Sequence, residues 1–119
     1  MRLNMRDFHT LNIWRRSYQL VIDVYDLAGG FPDEEKFALK SQMHRAAYSI
    51  PCNIAEGCGR EKSNDMRAFV QYAIGSSNEL ETQLLLAHDL GYIDQVVCEQ
   101  FVAEVTQLRR MMISFRNTL

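Results

Sequence analysis

The sequence predicts an all-α protein, an antiparallel up-down-up-down four-helix bundle with a proline kink in its second helix. Three observations carry this. Apolar residues recur at three- and four-residue steps along four separate stretches. Glycines, a proline and helix-capping residues punctuate the gaps between them. The gaps are short, which sets consecutive helices side by side and antiparallel. No stretch alternates as a strand would, and no internal repeat is visible. At 119 residues the chain fits a single domain, 1–119, with a real core but no room for two.

The first helix is expected at about 12–29, with Leu11, Trp14, Tyr18, Val21, Tyr25 and Ala28 as its apolar stripe. Gly29 and Gly30 stop it, and Phe31-Pro32 forms the turn. The second, about 33–57, opens on Asp33, Glu34 and Glu35, acids suited to a helix N-terminus. It carries Leu39, Met43, Ala47, Ile50 and Ile54 and ends near Gly57 and Gly59. Pro51 lies inside it, removes one backbone hydrogen bond and crowds the preceding turn, so a kink is expected there. The third, about 64–90, follows the capping residues Ser63, Asn64 and Asp65. Met66, Phe69, Ala73, Ser76, Leu80, Gln83, Ala87 and Leu90 keep its rhythm, and Gly91 closes it. The fourth, about 94–117, is capped by Asp94 and uses Val97, Phe101, Val105, Leu108, Met112 and Phe115.

Several chemistries find no support. Three cysteines, Cys52, Cys58 and Cys98, are odd in number and form no CxxC pair, so they read as small buried hydrophobes rather than a disulfide framework or zinc site. A di-iron bundle needs Glu-x-x-His, but Arg6, Ser41 and Leu85 stand three positions before His9, His44 and His88. No nucleophile elbow or phosphate-cradling loop occurs. His44 and His88 read as helix-surface or interface residues, and Trp14 and the tyrosines as core or interface. No catalytic residue, metal or cofactor is expected, and the chain is not expected to be an enzyme. Short apolar runs exclude a spanning helix, and MRLNMRDF lacks the apolar core of a signal peptide; a cytoplasmic protein is expected.

A polar line on the second helix (Gln42, Arg45, Ser49, Cys52, Glu56) flanks Pro51. If two antiparallel helices turn near residue 62, Gln42 lies level with Gln83, Arg45 with Glu79, Ser49 with Ser76 and Glu56 with Arg67. Gln42, Arg45, Ser49, Glu56, Ser76, Glu79 and Gln83 are therefore expected to form a structural polar seam, with Arg45–Glu79 an ion pair at mid-height. Such seams more often fix helix register than perform chemistry.

Net charge is −2, which opposes wholesale nucleic-acid binding. Its distribution matters more. The end holding both termini and the second turn collects Arg2, Arg6, Arg15, Arg16, Arg60, Lys62, Arg67, Arg109, Arg110 and Arg116 against Asp7, Glu56, Glu61 and Asp65. The opposite end is acidic. Helix-dipole compensation accounts for Arg109, Arg110 and Arg116 at a helix C-terminus, but not for Arg15, Arg16, Arg60, Lys62 and Arg67, which sit near helix starts. These eight are the candidate nucleic-acid-binding residues.

FPDEEKFALKSQMHRAAYSIPCNIAEGCGR and FVQYAIGSSNELETQLLLAHDLGYID resemble the four-helix-bundle family named for proteins encoded in intervening sequences of bacterial 23S ribosomal RNA genes. SIPCNIAEGCGR and GSSNELE are its specific stretches; His44-Arg45 stands where the family often has two basic residues, and Cys52 where it often has serine. The resemblance implies a small cytoplasmic bacterial protein without enzymatic activity that assembles into homopentamers. A similar protein, the accessory protein of diversity-generating retroelements, binds nucleic acid and a reverse transcriptase through a basic surface; such relatives are more basic. In a pentamer, Ile13, Leu20, Val24, Leu27 and Ile74 would be buried between subunits. Two functions are then open: binding of RNA or DNA, or of a nucleoprotein partner, through the basic end; or a protein-interaction scaffold that touches no nucleic acid.

Overall fold

The structure, a computed structural model, describes residues 4, 6–36 and 38–119. Four α-helices make up most of it: α1 (Asn12–Ala28), α2 (Leu39–Cys58), α3 (Ser63–Asp89) and α4 (Gln95–Asn117), with 3-10 turns at Phe8–Thr10 and Asp33–Glu35. No strand occurs among the described residues. They extend over 50 × 24 × 19 Å, and the 27 residues of α3 supply about 40 Å of that length.

All four helices feed one apolar core. Val24, Met43, Ile50, Ile54, Met66, Val70, Leu80, Leu84, Val105, Leu108 and Met112 are fully enclosed in it. The face of α1 differs from expectation. Its core face is Ile13, Ser17, Leu20, Val24 and Ala28, so Ile13, Leu20 and Val24, expected between subunits, are buried within the chain, as is Ile74. Tyr18 and Tyr25 are exposed instead, and Trp14 and Val21 are half-buried. Both stripes have helical spacing; the inner one wins because its small and branched side chains fit between neighbouring helices, whereas aromatic rings with polar edges tolerate the wet side.

Helix ends follow local chemistry. Asp94 caps α4, its Oδ1 accepting from the Val97 N–H at 2.8 Å. Gly91, at φ 83°, ends α3 in the left-handed region: its N–H donates to His88 O at 2.9 Å and that of Tyr92 to Ala87 O at 2.8 Å. Two starts depart from expectation. The acids Asp33–Glu35 form a separate 3-10 turn, and α2 begins only at Leu39, because Ala38 (φ −119°, ψ −110°) leaves the helical region between them. The residue preceding α3 is Lys62, and no side chain caps that helix; Ser63 is buried instead.

Helix α2 runs unbroken through Pro51, whose ring is buried. Around it, Ser49 Oγ donates to Ala46 O at 3.0 Å and Asn53 Nδ2 to Ser49 O at 2.8 Å, supplementing the ladder where proline has no N–H. Side chains pair across helices in a regular order. Ser49 meets Ser76, and farther along α2 Gly57 lies against Phe69 and Met66. Gln71 meets Arg116, Glu81 meets Arg109 and Cys98 reaches the carbonyl of Leu84. Position numbers thus rise on α2 as they fall on α3, and rise on α3 as they fall on α4. Between α1 and α4 the contact is thin.

Candidate nucleic-acid interface and polar seam

Four pieces of chain meet at one end of the molecule. Asn4, buried, donates from Nδ2 to Gly57 O at 2.7 Å and Arg60 O at 3.0 Å, and its N–H donates to Glu61 O at 3.0 Å. These bonds add partners to carbonyls at and just beyond the end of α2, where the helical ladder stops. Arg6 lies over the Phe115 ring, 5.2 Å from its centroid, tying the N-terminal segment to the end of α4. Arg116 Nη1 donates to Gln71 Oε1 at 2.6 Å, joining α4 to the start of α3. Nothing in the sequence pattern announced Asn4; its role depends on where residues 57–61 arrive.

The eight candidate basic residues divide into three groups. Arg67 and Arg116 line one shallow cleft with Asn64, Ala68 and Gln71, of about 360 Å³. Lys62 is exposed beside the start of α3, and Arg60 lies over the Phe69 ring at 4.8 Å while pairing with Glu56 at 3.3 Å. Arg110 lines a second cleft, about 560 Å³, with Thr10, Asn12, Gln107 and Ser114. Arg15, exposed, donates to Asn12 Oδ1 and to the carbonyl of His9. Neither Lys62, Arg67, Arg110 nor Arg116 forms an ion pair among the described residues.

Arg16 and Arg109 do not belong to this surface. Arg16 grips Glu104 of α4 through Nε and Nη2, with contacts of 3.1 and 2.8 Å, and Arg109 Nη2 pairs with Glu81 of α3 at 2.7 Å. Side-chain length decides this: both are part-buried on inter-helix flanks where a carboxylate stands within reach. Glu104 therefore stands level with Arg16. Arg2 lies outside the described residues. Among those described, seven basic residues (Arg6, Arg15, Arg60, Lys62, Arg67, Arg110, Arg116) then face four acids, a net +3 at this end.

The polar seam forms only in part. The Ser49 and Ser76 hydroxyls share a hydrogen bond at the level the register predicts, with Ser49 free to accept while its own proton goes to Ala46 O. Arg45 and Glu79 make no ion pair; both are exposed, and Glu79 accepts instead from Gln83 Nε2 at 3.4 Å. Glu56 pairs with Arg60, four residues on, rather than with Arg67. Gln42 is exposed. Four residues advance a helix by about 400° and three by about 300°, so Arg45 is rotated roughly 40° from Ser49 and Glu79 roughly 60° from Ser76. Long charged side chains at those angles reach water, whereas two serines remain at the helix contact.

Cys58 and Cys98 are buried, and burial pushes both thiols up from their ordinary pKa, which keeps them protonated and inert. Cys52 is exposed, contrary to expectation. It borders a groove of about 390 Å³ between α1 and α2, lined by Phe8, Trp14, Tyr18, Ile22, Tyr48 and Pro51 among others. This groove was hidden in the sequence because its residues imitate a core stripe. Also between α1 and α2, Tyr25 stacks on His44 at 3.7 Å, with planes 6° apart. His44 Nε2 is buried without a hydrogen bond, and desolvation, then the nearby Lys40 charge, lowers its pKa from the ordinary 6.5. Among the described residues no group of His, Cys, Asp or Glu could hold a metal ion, and no helix is long and apolar enough to cross a membrane.

Fold and surface together define an all-α protein whose distinctive features are a cationic end and an aromatic groove. The chain belongs to the family of 23S rRNA-intervening sequence proteins, whose model matches residues 9–114. Its fold is similar to that of a protein of unknown function from the S23 ribosomal protein family of Bacteroides thetaiotaomicron VPI-5482, with a TM-score of 0.82 at 24% identity over 88% of this chain and 95% of that one. No curated protein matches the chain.

Proposed function

We propose that this protein is a non-enzymatic, cytoplasmic helical bundle that self-assembles and binds nucleic acid, RNA or DNA, or a nucleoprotein partner, through its cationic end. The reading takes the four helices as an up-down-up-down antiparallel bundle bent at Pro51. The inverse order of the cross-helix pairs supports that topology, and the absent N–H of Pro51 supplies the cause of the bend. The observation that carries the function is the convergence of Arg67 and Arg116 from two helices on one cleft, with Lys62 exposed just before α3, all three without a carboxylate partner. Unpaired cations on a rigid surface suit phosphates, which they bind with release of counterions.

Self-assembly, as a pentamer by the resemblance, rests on the groove. Tyr18, Ile22, Tyr25 and Tyr48 are all close to half exposed on one face of α1 and α2, while Leu85, Leu86, Leu90 and Val96 are exposed elsewhere. Two separate apolar patches suit a heterologous contact that closes into a ring. A ring repeats the cationic end with each copy, multiplying a modest local charge. The same groove favours a second reading, a protein-interaction scaffold, in which it receives a partner protein and the cations stay solvated.

Gel-shift titrations at two salt concentrations separate these. Binding should weaken steeply with salt, and replacing Lys62, Arg67 and Arg116 with glutamate should abolish it while leaving the helical signal intact. The slope of log K on log salt should reflect roughly 0.7–0.9 of a charge per phosphate contact. Unchanged binding by the triple variant would overturn the assignment; no binding by either protein, with a protein recovered through the groove, would establish the scaffold.

A further inference from the structure

The outer face of α3 carries more than charge near its start. Tyr72 is 58% exposed, the most open tyrosine, phenylalanine or tryptophan among the described residues. It stands edge-on to Phe69, with centroids 5.6 Å apart and planes at 86°, and Phe69 in turn lies under the Arg60 guanidinium. Phe69 stands where α3 packs on Gly57 of α2, whose missing side chain makes room for the Phe69 Cβ. Tyr72 is therefore a ring anchored by one perpendicular aromatic contact and otherwise more than half open to solvent.

On the opposite flank of the same helix stand Arg67 and Gln71, the latter holding Arg116. Positions 67 and 72 differ by about 7.5 Å along the axis and about 140° around it. Between them on the helix surface lie Ala68 and Gln71. Beyond Tyr72 a Cβ at Gly75 would meet nothing within 4 Å. A strand crossing α3 could thus keep its phosphates on Arg67 and Arg116 and lay a base on Tyr72.

We propose, building on the nucleic-acid reading above, that the ligand of this end is single-stranded nucleic acid, with Tyr72 as a base-stacking platform beside the Arg67–Arg116 phosphate contacts. The physical reason is what a bare ring can bind. Bases in a duplex are already stacked on one another and offer no face to Tyr72; bases of a single strand do. Phosphate contacts alone would serve either form. Every base has a face to stack, so the preference is for strandedness rather than for sequence.

Fluorescence anisotropy with three probes of equal length tests this: a labelled oligothymidylate, the same backbone with abasic sites in place of its bases, and a blunt duplex. Wild-type protein should bind the intact strand about tenfold more tightly than either other probe. Tyr72→Ala should erase that advantage and leave affinity for the abasic strand and the salt slope unchanged, whereas Tyr72→Phe should keep it. Arg67→Gln with Arg116→Gln should weaken all three probes alike and flatten the slope. Equal binding of strand and duplex, or a Tyr72→Ala protein that still prefers the intact strand, would overturn the proposal and leave the cationic interface standing. Failure of every probe to bind at either of two salt concentrations would overturn both.

Discussion

Two glycines show how much a single hydrogen atom decides in this chain. Both lie inside helices, where glycine costs up to about 1 kcal/mol relative to alanine. At Gly75 a Cβ would meet nothing within 4 Å, so Gly75→Ala should stabilise by about 0.5–1 kcal/mol. At Gly57 the same atom would come 3.1 Å from Phe69 Cβ and 3.3 Å from Met66 Cγ. The methionine can yield, but a Cβ is fixed to its backbone, so α2 and α3 would have to separate. Gly57→Ala should therefore destabilise, by about 1–3 kcal/mol once overpacking outweighs propensity. Urea titrations of the two variants beside the wild type check the opposite signs; a Gly57→Ala protein as stable as Gly75→Ala would refute the close approach.

At the scale of helices, contacts differ in kind. The α1–α4 junction is thin and relies on Arg16–Glu104, whose side chains are each 38% exposed, so screening leaves that pair worth at most about 1 kcal/mol. The α1–α2 junction has the Tyr25–His44 stack, and pH should probe it. Because His44 is harder to protonate in the folded chain than in the unfolded one, the unfolded state takes up the proton first as pH falls below 6.5. The stabilisation from neutral His44 is complete above that value and is lost from there down to the lower folded pKa. Urea melts at pH 7.5 and 5.5 should show the wild type losing more stability than His44→Phe, which keeps a ring on Tyr25. Equal losses would exclude the mechanism.

The sequence made some of these element-scale features plain and concealed others. Legible features were short-range ones: the Asp94 cap, the Gly91 stop and the Ser49–Ser76 level, which follows from counting residues away from a turn. Features that depend on how a helix is rotated about its axis were not. Both stripes of α1 have the same period, so periodicity alone could not say which faces inward. The expected Arg45–Glu79 pair had the right height and the wrong angle. The pairs Arg16–Glu104 and Arg109–Glu81 join elements through side-chain reach, and Asn4 acts from outside any periodic segment. The cationic end was visible as a cluster, but which of its members remain unpaired was not.

For the whole molecule, the groove and the cationic end make separable demands. If copies associate through the groove, charge placed there should block association without melting the fold, since Tyr18 and Ile22 are 52% and 49% exposed. A Tyr18→Glu, Ile22→Lys protein should elute as a monomer in chromatography with light scattering, whereas the wild type should not. Its affinity for a nucleic-acid probe should fall with the loss of repeated sites. An unaltered mass for the double variant would remove the groove from the assembly.

The groove also contains the only tryptophan in the chain, Trp14, ringed by Phe8, His9 and Tyr18 with centroids 5.0–5.3 Å away. Its emission therefore comes from a single address, half open to water. Anything that seats itself there should change the colour and brightness of that light, so an unlabelled sample carries its own optical gauge of occupancy, independent of events at the arginines.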